Sequence, residues 1–319
     1  MWFGAYRRDR FVVSCSYPLV NRLTVAHLGC RYTSARKRQE RANEINTLSP
    51  SYRAPFTIDD KKILDTPVSQ LAQNVQDKVW KPTEVLVAYG KKAIQVHERV
   101  NCITEILIPS AETWAAGLWN ELDKVDGNDV IKSKPLLGVP VSLKDTVSVA
   151  GYDQAIGYTS RISNPATYSS PLVQLLLDAG ALPFVKSTVP TTLLSFESSS
   201  ALLGTTRNPH NYDFSPGGSS GGEAALLAAG ASRVGFGTDV AGSVRLPAHW
   251  SGVYAVRGSV GRFPRSGNTT SLPGQEGVAS VVAPMARTLE DLESVWKAVV
   301  GMKPWVYDHS VCFLSLCRK

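Results

Sequence analysis

The chain has 319 residues, of which 43% are hydrophobic and 19% are charged. That balance is typical of a globular protein with a sizeable core, and it excludes an intrinsically disordered chain. The formal net charge is +7. Residues 1–50 hold nine basic and three acidic residues, so the rest of the chain is nearly neutral, and we expect no nucleic-acid partner.

Residues 1–33 differ in composition from the rest of the chain. They contain five arginines and a single acidic residue, Asp9, and they show no sustained hydrophobic period. We expect a basic, disordered N-terminal extension; a mitochondrial presequence is the alternative, since such segments are rich in arginine and poor in acids. Five scattered cysteines without a C-x-x-C pair favour a reducing compartment, here the cytoplasm. No stretch approaches the roughly 18 uninterrupted apolar residues that a membrane span needs.

Residues 34–130 are predicted to form a helical N-terminal part of the main domain. A charged, solvent-facing helix is expected over 36–48, and three amphipathic helices are expected to carry Val68, Val85 and Trp114 near their starts. The short apolar run 103–108 is predicted to be a strand.

Residues 131–311 alternate between short apolar runs and helical stretches, and they form the predicted core of the domain. The predicted strands are 136–143, 182–186, 234–237 and 253–256. The predicted helices are 172–179, 223–229 and 289–299, the last with Thr288 as its N-terminal cap. This alternation predicts an α/β architecture with helices on both faces of a sheet.

Two polar, glycine-rich stretches, 215–223 and 237–245, stand out within this core. Glycines beside serines let the backbone turn so that several N–H groups point at one place, which is the geometry of an oxyanion hole. The first stretch runs straight into an alanine- and leucine-rich helix, which is not typical of a flexible linker. Lys144 ends an apolar strand, where burial would lower the pKa of its amine and let it act as a base.

The run 217–221 also matches G-x-S-x-G, the nucleophile elbow of α/β-hydrolases. That motif requires a buried strand directly before it, whereas 211–216 is predicted to be a turn, and only His249 and His309 follow it as candidate bases. Dinucleotide-binding and Walker A loops are excluded because G-x-G-x-x-G and a following G-K-[ST] are absent. Five histidines without a Cys/His cluster predict that there is no metal site.

Four phrases between residues 134 and 301 carry a resemblance to a known family: GVPVSLKDTVSVAGYD, DAGALPFVKSTVPTTLLSFESSS, YDFSPGGSSGGEAALLAAGASRVGFGTDVAGSVRLPAHWSGVYAVRG and PMARTLEDLE. In this order and spacing they resemble the amidase signature family. From Arg36 onward the amino-acid sequence is most similar to those of fungal acetamidases and general amidases. The resemblance implies the α/β amidase signature fold, a central mixed β-sheet covered by helices on both faces.

The resemblance also implies the site residues. Members of the family use a Ser–cis-Ser–Lys triad, which matches Ser243 as the nucleophile, Ser219 as the bridging serine after a cis peptide bond, and Lys144 as the base. The family's oxyanion hole consists of backbone N–H groups that match Val240, Ala241, Gly242 and Ser243. The residues that match supporting positions are Gly217, Gly218, Ser220, Asp239 and Arg245. Many members have glycine at the position of Ala241, whose methyl group is expected to narrow the pocket. The family requires neither a metal nor an organic cofactor.

The activity implied by the resemblance is hydrolysis of a small or aliphatic carboxamide, with acetamide-like substrates first, to a carboxylic acid and ammonia. Indole-acetamide, fatty amides and formamide stay open as substrates, and enzymes of this kind are often homodimers. Similarity to the family stops after Val311, so we interpret 312–319 as an aberrant tail and expect the C-terminal part of the sheet to be missing. The alternative function is therefore that of an inactive, truncated homologue, either a non-catalytic fragment or an interaction protein.

Overall fold

The computed structural model describes residues 20–124, 130–275 and 277–313. Its helices are α1 (Val20–Thr47), α2 (Ile58–Asp65), α3 (Val68–Gln76), α4 (Pro82–Val100), α5 (Ile108–Lys124), α6 (Val130–Ser133), α7 (Pro171–Asp178), α8 (Gly221–Ala228), α9 (Arg245–Ser251) and α10 (Leu289–Gly301). Its strands are β1 (Ile103–Ile106), β2 (Pro140–Lys144), β3 (Leu182–Ser187), β4 (Ser199–Ser200), β5 (Gly204–Thr205), β6 (Val234–Asp239), β7 (Tyr254–Ala255) and β8 (Val281–Ala286). Most of the predicted tail, residues 314–319, lies outside the described residues.

Six strands form one mixed sheet in the order β1-β3-β2-β6-β8-β7, and β4 pairs separately with β5. The central strands β3, β2 and β6 run parallel, whereas β1, β8 and β7 pair antiparallel with their neighbours. Every residue of β2, β3, β6 and β8 is buried. Because successive side chains of a strand point to opposite faces, both faces of this sheet are covered. The predicted mixed α/β sheet is confirmed.

Helix α1 begins at Val20 and so includes residues 20–33 of the predicted N-terminal extension, while residues 1–19 lie outside the described part. Lys37 anchors this helix, since its amino group lies 2.7 Å from Glu105 Oε1 and 2.9 Å from Asp153 Oδ2. Once a helix is anchored in this way, each further turn adds hydrogen bonds without a new nucleation cost.

The sequence patterns missed α2, α9 and β8. Strand β8 contains Pro284, and a proline within an apolar run argues against an interior strand. The strand nevertheless pairs with β6 along its whole length. Helix α9 contains Pro247 only in its first turn, where the missing N–H breaks no helical hydrogen bond. Strand β1 pairs with β3, so the helical part predicted for 34–130 shares its sheet and core with the rest.

Candidate active site

Three chain segments bring the predicted site residues to one edge of the sheet. Strand β2 ends at Lys144 and the parallel strand β6 ends at Asp239, so both lead out at the same edge. The segment after β6 leads into α9, and the glycine-rich loop 215–220 leads into α8. In open α/β sheets, the carboxyl ends of parallel strands are where binding groups converge.

The Lys144 amino group is fully buried and has three oxygen neighbours. It lies 2.8 Å from Ser219 Oγ, 2.9 Å from Thr238 Oγ1 and 3.3 Å from the Thr238 carbonyl oxygen. Burial lowers the pKa of Lys144 to about 7, because the charged form loses its hydration. A lysine with this pKa is partly neutral at physiological pH, as the sequence predicted for a lysine at the end of a buried strand.

Ser219 follows a cis peptide bond from Gly218, as the resemblance implied. The two glycines before it are required by close packing. Gly217 has a φ of +91°, and a Cβ built on it would lie 2.7 Å from Pro247 Cα. A Cβ on Gly218 would collide with the carbonyl oxygen of Ser195. Only glycine therefore lets the loop hold the Ser219 hydroxyl against Lys144.

Asp239 organises the segment that follows β6. Its buried carboxylate accepts hydrogen bonds from the N–H of Gly242 at 2.8 Å and of Val244 at 3.2 Å. Arg245 donates two further hydrogen bonds at 3.0 Å, and Arg257 lies 3.4 Å away. Burial alone would raise the pKa of Asp239, but the bonds from Arg245 and the two N–H groups outweigh it and lower that pKa. Asp239 is thus an ionised carboxylate that fixes the turn.

A cavity of about 700 Å³ opens beside these residues, and its wall includes Ser219, Val240, Ala241 and Ser243. Within the described ranges, no acceptor meets the backbone N–H groups of Val240, Ala241 and Ser243. The Gly242 N–H donates to Asp239 and Gly242 is not part of the cavity wall, so its assignment to the oxyanion hole stays a prediction. Three residues whose N–H groups have no acceptor in this part of the chain therefore line a space large enough for a small organic substrate.

The two serines of the predicted triad meet at this cavity without touching. The backbone N–H of Ser220 donates to the Ser243 carbonyl at 3.1 Å, which ties the two loops together. No hydrogen bond joins the hydroxyls of Ser219 and Ser243 in the part of the chain that the structure describes, and both line the same wall. The geometry thus brings Lys144 and Ser219 into contact and places Ser243 in the same cavity wall as Ser219.

The nucleophile-elbow alternative gains no support from this arrangement. Residues 211–216 form turns and an isolated bridge instead of a buried strand. His249 is exposed and is not part of the cavity wall, whereas His309 is part of it. His210 contacts the carbonyl of Ser251 at 2.9 Å, which is a structural role within a loop.

Sequence reasoning missed several residues of the site. Thr238 was overlooked, although it supplies two of the three oxygens around Lys144. Its position directly before Asp239 in β6 is the signal that could have identified it. Arg257 lies near Asp239 from a distant loop, and no local pattern signals that contact. The buried pair of Ser142 and Glu223, 2.6 Å apart behind Lys144, was also missed.

A known protein family matches most of the chain. The family model described as Amidase matches residues 84–318. The chain belongs to the amidase family. It is 39% identical over 259 residues to a putative amidase of Curvularia clavata, a match that covers 81% of this chain and 47% of that protein. It is 37% identical over 250 residues to an acetamidase of Aspergillus oryzae, covering 78% of this chain and 45% of that protein.

The solved structures place the chain in the same family by fold. A fatty acid amide hydrolase matches with a TM-score of 0.78 and 28% sequence identity, over 97% of this chain and 51% of that one. The predicted amidase fold is therefore confirmed. The chain spans about half the length of the curated relatives it matches.

Membrane-spanning helices and metal-binding clusters are both absent from the described residues. None of the helices there has the length and hydrophobicity that crossing a lipid bilayer requires. No group of three or more His, Cys, Asp or Glu side chains in the same residues is placed to hold a metal ion.

Proposed function

We propose that this amidase hydrolyses an aliphatic carboxamide through an acyl-serine formed on Ser243. The observation that carries the proposal is the buried contact of 2.8 Å between the Lys144 amine and the Ser219 hydroxyl, at the wall of the cavity that Ser243 also lines. A serine hydroxyl is a weak nucleophile and needs an adjacent base. Lys144 is that base, and Ser219 relays the proton.

The three oxygens around Lys144 can serve both forms of its amine, since a protonated Lys144 donates to all three and a neutral one donates to two and accepts from the third. The neutral amine has two N–H groups and one lone pair. The hydroxyl and the carbonyl of Thr238 take the two N–H groups, which leaves the lone pair for the proton of Ser219. As Lys144 takes this proton, Ser219 takes the proton of Ser243, and the Ser243 oxygen attacks the amide carbon.

The negative oxygen that forms in this step is stabilised by backbone N–H groups. Val240, Ala241 and Ser243 each offer a free N–H at the cavity wall. Each such donor typically contributes about 2.7–4 kcal/mol to the lowering of the barrier. Gly242 contributes by bonding to Asp239, which fixes the turn that presents the other three groups.

Collapse of the intermediate returns the proton. Protonated Lys144 gives a proton through Ser219 to the leaving nitrogen, so that ammonia departs and Ser243 keeps the acyl group. Water then attacks the ester carbonyl with the same base, and the carboxylic acid leaves. No step of this sequence calls on a cofactor.

The substrate is proposed from the cavity and from the relatives. The wall of the cavity combines many hydroxyl groups with apolar side chains, namely those of Leu193, Leu194, Phe196, Leu272, Val281 and Val282. A volume of about 700 Å³ exceeds what acetamide fills, so longer aliphatic amides also fit. Acetamide is the first substrate to test, since one relative is named an acetamidase, and hexanamide and decanamide extend the series.

The test is the release of ammonia by purified protein from this series. Ser243→Ala and Lys144→Met are expected to abolish it, whereas the matched control His249→Ala is expected to leave it unchanged. Loss in His249→Ala would favour the histidine-based elbow. A folded wild-type chain that hydrolyses no amide would favour the alternative of a non-catalytic amidase homologue.

Two lesser proposals come from the resemblance and the composition. We expect a homodimer, which light scattering on the purified chain would detect as twice the chain mass of 34.5 kDa. We expect the protein in the cytoplasm, which fractionation of the source cells would test against mitochondria.

A further inference from the structure

Glu223 is a buried carboxyl group that the proposed mechanism does not use. It lies in the first turn of α8, four residues after Ser219, and is completely buried. Its Oε2 atom lies 2.6 Å from the hydroxyl of Ser142, which is two residues before Lys144 on β2. Because residues two apart on a strand share a face, this contact joins the two elements that carry the Lys144–Ser219 pair.

The fold leaves a specific space for this carboxyl group. Gly235 of β6 lies opposite Ser142 in the sheet. A Cβ at position 235 would collide with Glu223 Oε2 and would lie 2.5 Å from Ser142 Oγ. The glycine is therefore needed for Glu223 to reach β2.

The hydrogen bonds that leave Ser142 allow the protons to be counted. Its hydroxyl lies 2.6 Å from Glu223 and 3.1 Å from Ser232 Oγ, and Ser232 donates to the Val234 carbonyl at 2.8 Å. A hydroxyl carries one proton, so two serines supply two protons for three hydrogen bonds. The carbonyl has none to give, so all three contacts are hydrogen bonds at once only if the third proton sits on Glu223, whereas an ionised Glu223 would accept the Ser142 proton and leave the 3.1 Å contact without one.

We propose that Glu223 is held as a neutral carboxylic acid whose O–H donates to Ser142, and that this chain of hydrogen bonds makes Glu223 a positioning residue for Lys144 and Ser219. The inference rests on the proposed function, because it assigns a role toward the same pair. Glu223 does not touch the cavity, and it acts through the two elements it joins.

Two further observations support the neutral acid. Glu223 Oε1 is buried and receives no close hydrogen bond, and the Ser187 hydroxyl, itself without a close partner, is the only further hydroxyl in the described residues that acts on the carboxyl and favours its ionised form. An ionised carboxylate would therefore be poorly satisfied at this site. Burial raises the pKa of Glu223 well above that of an ordinary glutamate, which favours its neutral form. The ionisable groups that act on Lys144 are Asp239 and Glu223. Those that act on Glu223 are Lys144 and the nearby Cys102 thiol. The Cys102 thiol stays neutral, because burial raises its pKa.

The direct test is NMR titration of protein labelled with 13C at the glutamate carboxyl carbons and at the lysine ε carbons. Lys144→Met and Glu223→Gln assign the two signals by their loss. We expect the Glu223 carbon to have the shift of a protonated acid at pH 6, where an ordinary glutamate, with a pKa of about 4.3, is ionised. An ionised Glu223 at pH 6 would overturn the proposal.

The Lys144 titration gives a second, independent readout. Replacing a neutral acid by the neutral amide of Glu223→Gln is expected to leave the Lys144 midpoint in place. An ionised Glu223 would instead raise the pKa of Lys144, so its removal would lower the midpoint by about one unit or more, which contradicts the proposal. Asp239→Asn is the positive control, because it removes a charge that is ionised and should lower the midpoint.

Kinetics test the positioning role. Glu223→Gln can donate an N–H to Ser142, so kcat/KM is expected to stay within about threefold of the wild type, whereas Glu223→Leu is expected to lose about tenfold or more, mainly in kcat. Equal losses in both variants would contradict the role.

If Glu223→Gln does not fold, Ser142→Ala identifies the same carboxyl signal, because it removes the acceptor of the Glu223 proton. If the wild type hydrolyses no amide, the proposed function fails while the NMR titration still decides the state of Glu223.

Discussion

The backbone N–H of Ser220 donates to the carbonyl oxygen of Ser243 at 3.1 Å, so the loop before α8 and the turn after β6 hold each other in place. This bond sets the relative position of Ser219 and Ser243, the two serines of the proposed relay, which both line one cavity. On the other side of the turn, Asp239 fixes the backbone through Gly242 and Val244. The site is therefore held mainly by backbone groups, and its weak points are the few side chains that bond to them.

Asp239→Asn tests the strongest of these side chains. Asparagine keeps one acceptor but loses the charge that holds Arg245 and Arg257, so we expect kcat to fall by about 100-fold. The free energy of unfolding is expected to fall by about 1–3 kcal/mol, since a buried partner of charged groups is weakened. Urea titration and ammonia release measure the two effects. The exposed Asp213→Asn is the control, and an Asp239→Asn variant with full activity would show that the turn does not depend on this carboxylate.

The pH dependence of hydrolysis follows from the lysine. Burial lowers the pKa of Lys144 to about 7, and only the neutral amine accepts a proton. We therefore expect kcat/KM for a neutral amide to rise as the pH increases through about 7 and to level off above it. Deprotonation of a histidine could give a similar rise of kcat/KM with pH, which we call the basic limb. The control is therefore His309→Gln, which replaces the histidine in the cavity wall. If that variant abolished the basic limb, the assignment to Lys144 would be wrong.

Much of this site could be predicted from the sequence, because its parts have local signals. Lys144 ends an apolar run, and the stretches that hold Ser219 and Ser243 are rich in glycine and serine. The resemblance to the family then indicated which residue is the nucleophile, which is the bridging serine and which is the base. No single stretch of the sequence defines these roles. The hydrogen bond from the Gly242 N–H to Asp239 could not be predicted in this way, because it depends on the fold of the turn.

What the sequence left out depends on contacts between distant segments. The Glu223–Ser142 pair forms because Gly235 lies opposite Ser142, and register across two strands has no signature within either strand. Strand β8 was missed for a related reason, since Pro284 argues locally against a strand that pairing with β6 stabilises. Tertiary contacts overrode the local preference in both cases.

Lys37→Met tests the anchor of α1. Removal of the amine leaves Glu105 and Asp153 buried without their cation, so the free energy of unfolding is expected to fall by about 3–5 kcal/mol. Lys62→Met is the matched control, because its pair with Asp59 is exposed and contributes about 0–1 kcal/mol. Urea titration compares the two variants, and Lys37→Met with Glu105→Gln is expected to recover part of the loss. Equal effects of Lys37→Met and Lys62→Met would show that the anchor is not needed.

Asp308→Asn tests the wall of the cavity opposite the serines. The Asp308 carboxylate accepts the N–H groups of Arg265 and Ser266 at 2.8 Å, the Ser266 hydroxyl at 2.9 Å and the Ser310 N–H at 2.9 Å, and all three partners line the cavity. Burial opposes ionisation, but these donors outweigh it and lower the pKa of Asp308 to about 2.

Because the folded-state pKa of Asp308 is below its ordinary value, the ionised carboxylate stabilises the fold above about pH 4, and this contribution is lost as the pH falls through about 2. In Asp308→Asn we expect KM to rise several-fold with a smaller change in kcat, since the loop that binds substrate loosens while the Lys144–Ser219 pair is untouched. The free energy of unfolding of this variant should also depend less on pH below pH 4 than that of the wild type. A fall in kcat at unchanged KM would instead connect Asp308 to the reacting groups, which its position does not predict.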